Sequence, residues 1–174
     1  MNRAQKAVIY PPAGVGHGVV LQEALPTVAK QGAGVVRSCI RASLERGAPA
    51  GLAASQIIDA LRLGLPVREL DDLQAALQVP MEKLGPMLGI SKATLHRRKA
   101  EGRLGIAESD RIVRFARLMG RAIEVLESPE NARRWLNAPQ VGLGDAVPLV
   151  YAETEVGARE VEDLLGRIEY GVYS

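Results

Sequence analysis

The side chains best suited to chemistry in this sequence lie close together, between residues 91 and 103. Lys92, His96 and Arg97 recur at the spacing that places side chains on one face of a helix. Basic side chains donate hydrogen bonds to phosphates and to guanine, and hydroxyl groups add shorter contacts. This pattern predicts a nucleic-acid interface, in which Arg98 and Arg103 are expected to contact phosphates. The candidate DNA-binding residues are Ser91, Lys92, Thr94, His96, Arg97, Arg98 and Arg103.

Two short helices joined by a tight turn are predicted to position this group, within residues 81–102. The first helix has an apolar face, because apolar residues recur at positions 81, 84 and 88. The turn is Gly89-Ile90-Ser91, and the Ser91 oxygen can accept a free backbone N–H at the start of the second helix. Leu95 is the one inward-facing apolar residue of that second helix. This arrangement is typical of a helix-turn-helix.

An ordinary helical hairpin with a solvated basic face is the alternative interpretation of the same residues. Two features depart from an ideal motif: Gly85-Pro86 falls inside the first helix, and Arg98 stands where an apolar residue would normally close the core. Proline removes a backbone hydrogen bond and kinks a helix. We favour nucleic-acid binding, because the turn, the apolar anchor and the positive charge coincide in one place.

The charges of the chain are distributed unevenly, although the net charge is only +2. Residues 91–121 contain nine Lys or Arg and three Asp or Glu. Residues 145–174 contain two Arg and seven Asp or Glu. A basic middle and an acidic end suggest two different partners.

The remaining patterns predict helices and no strands, and therefore an all-α fold. Helices are expected at 35–44, 53–63, 69–79 and 108–126, and at 129–137 after a Ser128 cap. A last helix is expected between a Thr154 cap and Gly171. The helix at 108–126 carries an apolar stripe and a separate arginine stripe at positions 111, 114, 117 and 121. That arginine stripe is either a solvated face or an edge that faces phosphates. The expected organisation is an N-terminal segment of unknown role (1–51), a helix-turn-helix DNA-binding domain (52–127) and a small helical C-terminal domain (128–174).

Nothing in the sequence predicts an enzyme, a cofactor site or a metal site. The two histidines, His17 and His96, are far apart and have no metal-ligand spacing. The glycine-rich stretch at 14–18 lacks the Gly-Lys-Ser/Thr of a phosphate loop and is interpreted as a loop. In the helix at 35–44 the inward-facing residues are expected to be Val36, Cys39, Ile40 and Leu44, and Cys39 and Trp135 are expected to pack in the core.

The composition favours a cytoplasmic protein that does not enter a membrane. A single cysteine forms no internal disulfide, which suits a reducing compartment. No apolar run approaches the length of a membrane span. Pro11-Pro12 interrupts the first apolar stretch, so a signal peptide is not expected.

Residues 66–174 resemble the Xre-type antitoxins of RES-domain toxins, in the wider Xre/MbcA/ParS class with a C-terminal toxin-binding domain. The similarity lies in LGISKATLHRRKAEGRL, ESDRIVRFARL, ARRWLNAPQVGLGDAVPL and TEVGAREVEDLLGRIEYGVYS. The ending RIEYGVYS is the most specific part.

This resemblance implies an antitoxin that binds the operator of its own operon and holds a RES-domain toxin inactive. RES toxins resemble ADP-ribosyltransferases and consume NAD, and such antitoxins place their C-terminus at the toxin's active site. The toxin-binding residues implied by the resemblance are Arg167, Glu169, Tyr170, Val172, Tyr173 and Ser174.

A homodimer is expected, because a compact helix-turn-helix usually reads two half-sites as a symmetric pair. The apolar area for that contact is expected on the 108–126 helix and on the C-terminal domain. Two alternatives remain open: a stand-alone helix-turn-helix transcription regulator whose C-terminal domain only dimerises, or an antitoxin of a different toxin class.

Overall fold

The computed structural model describes residues 34–42 and 52–171. Within these residues the chain is helical and has no strands, which confirms the predicted all-α fold. The helices are α1 Val35–Ala42, α2 Ala54–Leu63, α3 Arg68–Leu77, α4 Met81–Met87, α5 Lys92–Glu101, α6 Ile106–Leu126, α7 Pro129–Leu136, α8 Pro148–Tyr151 and α9 Glu155–Glu169. A 3₁₀ turn, Val141–Leu143, lies between α7 and α8. The glycine-rich stretch at 14–18, His17, Leu44 and the tail residues Val172, Tyr173 and Ser174 lie outside the described residues.

Side-chain caps start three of the helices at the residues that the sequence indicated. The hydroxyl oxygens of Ser91, Ser128 and Thr154 accept backbone N–H groups three residues later, at 3.1, 3.0 and 3.0 Å. Each bond satisfies a donor that has no partner within the helix. At the other end of α9, Gly171 adopts a left-handed backbone with a φ of 67°, which ends the helix as expected.

The long helix α6 is the centre of the described fold and contacts α1, α2, α3, α7 and α9. Its apolar stripe is buried by these neighbours, and Ile112, Phe115 and Ala122 have no exposed surface. The expectation that this stripe offers the apolar area for a dimer contact is therefore wrong, because packing within one chain already covers it.

The arginine stripe of α6 is also used within the chain. Arg111 donates to the carbonyl of Leu88 at 3.1 Å, and Arg121 donates to the Glu169 carboxylate of α9 at 2.5 Å. Arg114 pairs with Glu155 at the start of α9, at 3.0 Å. Arg117 remains exposed. The sequence suggested either a solvated face or a phosphate-facing edge for this stripe. Both interpretations are wrong for the three paired arginines, because α9 and the α4–α5 turn lie against this side of α6.

Helix α1 is fastened to α3 by a buried carboxylate. The two oxygens of Glu69 accept the backbone N–H groups of Val35 and Val36, at 3.1 and 2.9 Å. These N–H groups belong to the first turn of α1 and have no partner within it. Val36 and Cys39 are buried, as predicted from the sequence. The α1 helix is therefore part of the same packed body as the helices that come after it.

Candidate functional site

Helices α4 and α5 form the predicted helix-turn-helix, and its turn is held from two sides. Pro86 lies in the last turn of α4, so the helix ends one residue later and is not broken in its middle. A side chain at Gly85 would lie 2.9 Å from the Ile90 carbonyl oxygen, so glycine allows the turn to pack closely. Arg111 of α6 binds the Leu88 carbonyl at the C-terminal end of α4. The sequence did not indicate this last contact.

The outer face of α5 presents the residues that were predicted to read DNA. Ser91, Lys92, His96 and Arg97 are exposed, and Thr94 is half-buried. Lys92 and His96 have no hydrogen bond or ion pair among the described residues. Arg97 makes only a long contact with Glu101, at 3.9 Å. This face is therefore available to a groove of DNA, with donors at the spacing that direct readout needs.

Arg98 is used inside the fold, which differs from the phosphate contact that the sequence suggested. Its Nε lies 2.8 Å from Oε2 of Glu108, and its Nη1 lies 2.8 Å from Glu101. Burial alone would raise the pKa of the Glu108 carboxyl, but hydrogen bonds from Arg98 and from the Gly105 N–H lower it below its ordinary value. The hydrogen bonds that Arg98 makes with Glu108 and with Glu101 raise the pKa of its guanidinium. Three of the five guanidinium donors are therefore occupied by Glu108 and Glu101, and the Arg98 side chain is only 21% exposed.

Arg103 lies on the exposed side of the connection between α5 and α6. Its Nη1 donates to the carbonyl of Gly64, at 2.8 Å, and the rest of the side chain is exposed. This contact joins the α5–α6 connection to the end of α2. A guanidinium has five donors, so Arg103 can hold this carbonyl and still reach a phosphate.

The acidic C-terminal half contains a shallow depression on α9, with a volume of about 570 Å³. Two predicted toxin-binding residues, Arg167 and Tyr170, line it beside Glu160 and Asp163. The Nε of Arg167 is buried and has no hydrogen-bond partner among the described residues, and the Tyr170 side chain is 79% exposed. A buried donor without an acceptor is unfavourable, and an exposed aromatic ring is a typical anchor for a protein partner.

The other predicted toxin-binding residues are placed differently. The carboxylate of Glu169 faces Arg121 and is part of the packing between α6 and α9, so it does not simply project from the end of the helix. Val172, Tyr173 and Ser174 lie outside the described residues. Partial desolvation and the neighbouring Glu155 carboxylate raise the pKa of Glu162, so negative charge is crowded on the outer side of α9.

A set of exposed apolar residues in this half was missed from the sequence. Val141 is 87% exposed, Val156 is 72% exposed, and Val150 and Tyr151 are about half exposed. Helix α8 meets the start of α9 tightly, because a side chain at Gly157 would overlap the Tyr151 carbonyl oxygen. Val156 is apolar but lies outside the stripe of apolar residues that α9 buries. Its position was the one sign in the sequence that this half exposes apolar side chains.

The described residues contain no group of metal-ligating side chains and no helix that is long and apolar enough to span a membrane. Cys39 is buried, and desolvation raises the pKa of its thiol, although Arg117 opposes this effect. A thiol with a raised pKa is a poor nucleophile. Its surroundings are those of a packing residue, as expected from the sequence.

Comparisons with known proteins match two consecutive parts of the chain. Residues 56–117 match the antitoxin Xre-like helix-turn-helix domain, and residues 121–171 match the antitoxin Xre/MbcA/ParS C-terminal toxin-binding domain. Antitoxin Xre of Yersinia enterocolitica (serotype O:8 / biotype 1B) is 36% identical over 129 residues, which cover 71% of this chain and 87% of that protein. Antitoxin Xre of Photorhabdus laumondii subsp. laumondii is 34% identical over 116 residues, which cover 66% of this chain and 78% of that protein. The first matched range ends, and the second begins, within α6.

Proposed function

Because the chain belongs to the Xre antitoxins of toxin–antitoxin systems, we propose that it inhibits a RES-domain toxin that consumes NAD. In this proposal the chain also binds the operator of its own operon, as a cytoplasmic homodimer that represses transcription. It performs no catalysis itself.

The exposed face of α5 carries the DNA-binding part of the proposal. Lys92, His96 and Arg97 are exposed, and the fold makes little use of their polar groups. Basic side chains that stabilise nothing within the fold suit a polyanionic partner. Arg103 is assigned a phosphate contact, whereas Arg98 is left out of the contact set because Glu108 holds it.

The end of α9 carries the toxin-binding part. The Arg167 Nε, which has no hydrogen-bond partner among the described residues, and the exposed ring of Tyr170 lie in one depression. A toxin that binds the diphosphate of NAD needs basic groups in its pocket, and the acidic end of this chain complements such groups. The specific ending RIEYGVYS supports the RES class over other toxin classes.

The dimer contact is proposed on residues that packing leaves exposed. On the DNA-binding half these are Ile58, Leu63 and Ile106, with exposed fractions of 47, 52 and 62%. An association there leaves the end of α9 free for the toxin.

Co-expression with the adjacent gene product tests the proposal. We expect the two proteins to copurify, and we expect the released toxin to hydrolyse NAD until the antitoxin is added back. A neighbouring protein that copurifies but does not consume NAD would indicate another toxin class. A chain that binds DNA upstream of its own gene and no neighbouring protein would instead be a stand-alone regulator.

A further inference from the structure

The recognition helix α5 has an unusually weak apolar attachment to the rest of the fold. None of its residues is buried, and Leu95 is only partly buried against the core. The neighbouring α4, by contrast, buries Leu84 completely. Apolar burial therefore contributes little to holding α5 in one orientation, and polar contacts are needed to fix that orientation.

The main polar contact is a hydrogen-bonded ion pair between Arg98 of α5 and Glu108 of α6. Three bonds join the two groups: Nε lies 3.1 and 2.8 Å from the two carboxylate oxygens, and Nη2 lies 3.0 Å from Oε1. The two side chains are 21% and 10% exposed. A planar guanidinium bound along one edge fixes direction as well as distance, which a lysine cannot do.

The same carboxylate also fixes the start of α6. Oε2 of Glu108 accepts the backbone N–H of Gly105 at 2.6 Å, in the first turn of the helix. A side chain at position 105 would lie 2.5 Å from Nη2 of Arg98, so glycine leaves the space that the guanidinium occupies. Glu108 thus joins the beginning of α6 to the second half of α5.

We propose that Arg98 and Glu108 are positioning residues that set the angle of α5 on α6 and thereby align Lys92, His96 and Arg97 with the DNA. This rests on the proposed operator binding. Neither residue needs to contact DNA. The pair occupies the position where an apolar side chain would normally hold a recognition helix.

Replacing Glu108 with Gln distinguishes positioning from a direct phosphate contact, because the two predict opposite signs. Glutamine can still accept the Gly105 N–H, but it loses the charge that orients Arg98. Removal of a negative charge beside DNA would by itself strengthen binding. If the pair positions α5, Glu108→Gln instead weakens binding.

The experiment measures the affinity of the full chain for a duplex from the region upstream of its own gene, by fluorescence anisotropy. We expect Glu108→Gln and Arg98→Lys each to weaken binding by about tenfold, and the double variant by little more, because coupled neighbours are not additive. Glu130→Gln is the matched control, since it removes one carboxylate from the Arg133–Glu130 pair of α7, where Glu130 is 71% exposed. We expect the control to bind as well as the unmodified chain or slightly better.

Amide hydrogen exchange provides a readout that needs no DNA. We expect Glu108→Gln to increase exchange in α5 while α4 and most of α6 keep their protection. Unchanged exchange in α5, or tighter DNA binding by Glu108→Gln, would overturn the positioning role. If the unmodified chain does not bind the duplex but α5 still loosens in Glu108→Gln, the operator proposal fails and the positioning of α5 by the pair stands.

Discussion

Arg121 of α6 and Glu169 of α9 form an ion pair at 2.5 Å, 48 residues apart in the chain. Both side chains are only about a quarter exposed, and Arg121 also binds Glu124 at 2.8 Å. The pair holds the last turn of α9 against the long helix, directly before Tyr170.

Removing this pair should affect toxin inhibition more than DNA binding. We expect Arg121→Ala to destabilise the fold by about 1–2 kcal/mol, between the values for exposed and buried pairs. Toxin inhibition should weaken because the end of α9 is no longer fixed, while operator affinity should change little. Arg159→Ala is the matched control, because Arg159 is 74% exposed and pairs within α9 only. Equal inhibition by both variants would contradict this role.

Deleting residues 170–174 should impair inhibition while the chain still folds. Tyr170 is exposed and Gly171 lies beyond α9, so among the described residues the deletion removes two backbone hydrogen bonds at the end of α9 and no buried side chain. NAD consumption by the toxin should persist when the truncated antitoxin is added, and a bulky C-terminal tag should partly reproduce the loss. Full inhibition by the truncated chain would mean that the helical body alone holds the toxin.

Substituting the outer face of α5 should weaken operator binding without unfolding the chain. We expect Arg97→Ala to cost roughly 1–3 kcal/mol if Arg97 binds a guanine edge. Arg103→Ala should weaken binding to all sequences alike and reduce the salt dependence. Unchanged operator affinity in the Lys92→Ala/Arg97→Ala double variant would exclude this face as the reading surface.

The Glu108 carboxyl should make the stability of the protein sensitive to acid. Its pKa is lower in the folded chain than the ordinary value of 4.5, so folding favours the charged form. The stabilisation is therefore fully present above pH 4.5 and is lost as the pH falls below it, through the lowered pKa. We expect denaturant unfolding of Glu108→Gln to depend less on pH in this range. An identical pH dependence in both proteins would contradict the assignment.

Cys39 should report whether α1 is docked. We expect the buried thiol to react slowly with iodoacetamide in the folded protein, because burial limits access and raises its pKa. Glu69→Ala removes the acceptor for two N–H groups of α1 and should cost about 1–2 kcal/mol, as other helix caps do. Labelling of Cys39 should then become faster. Unchanged labelling would show that apolar packing alone holds α1.

The parts of the fold that depend on neighbouring residues in sequence could be predicted, and those that depend on distant residues could not. The caps at Ser91, Ser128 and Thr154 act within three residues, so their positions followed from residue type alone. The Glu69 cap acts on Val35, 34 residues away, and no local pattern indicates it.

The same distinction holds at the candidate site. The exposed face of α5 followed from helical periodicity, but the partner of Arg98 did not, because Glu108 approaches it only after α5 and α6 pack. The sequence also did not show which side of α6 would contact α9. The arginine stripe of α6 was therefore interpreted as an exposed basic surface, although Arg121 pairs with Glu169.

The continuity of α6 constrains how such a protein can change by insertion or recombination. The helix-turn-helix match ends at residue 117 and the toxin-binding match begins at residue 121, with no linker between them. Each residue added to a helix rotates the remainder of the helix by about 100° and advances it by about 1.5 Å. One extra residue between the two matched ranges would therefore turn α9 away from Arg114, which pairs with Glu155, and α7 away from α3, where Arg133 binds the Ala76 carbonyl. Exchange of toxin-binding domains between relatives should succeed only when the number of residues along α6 is kept, because both the helical phase and the rise along the helix set these contacts.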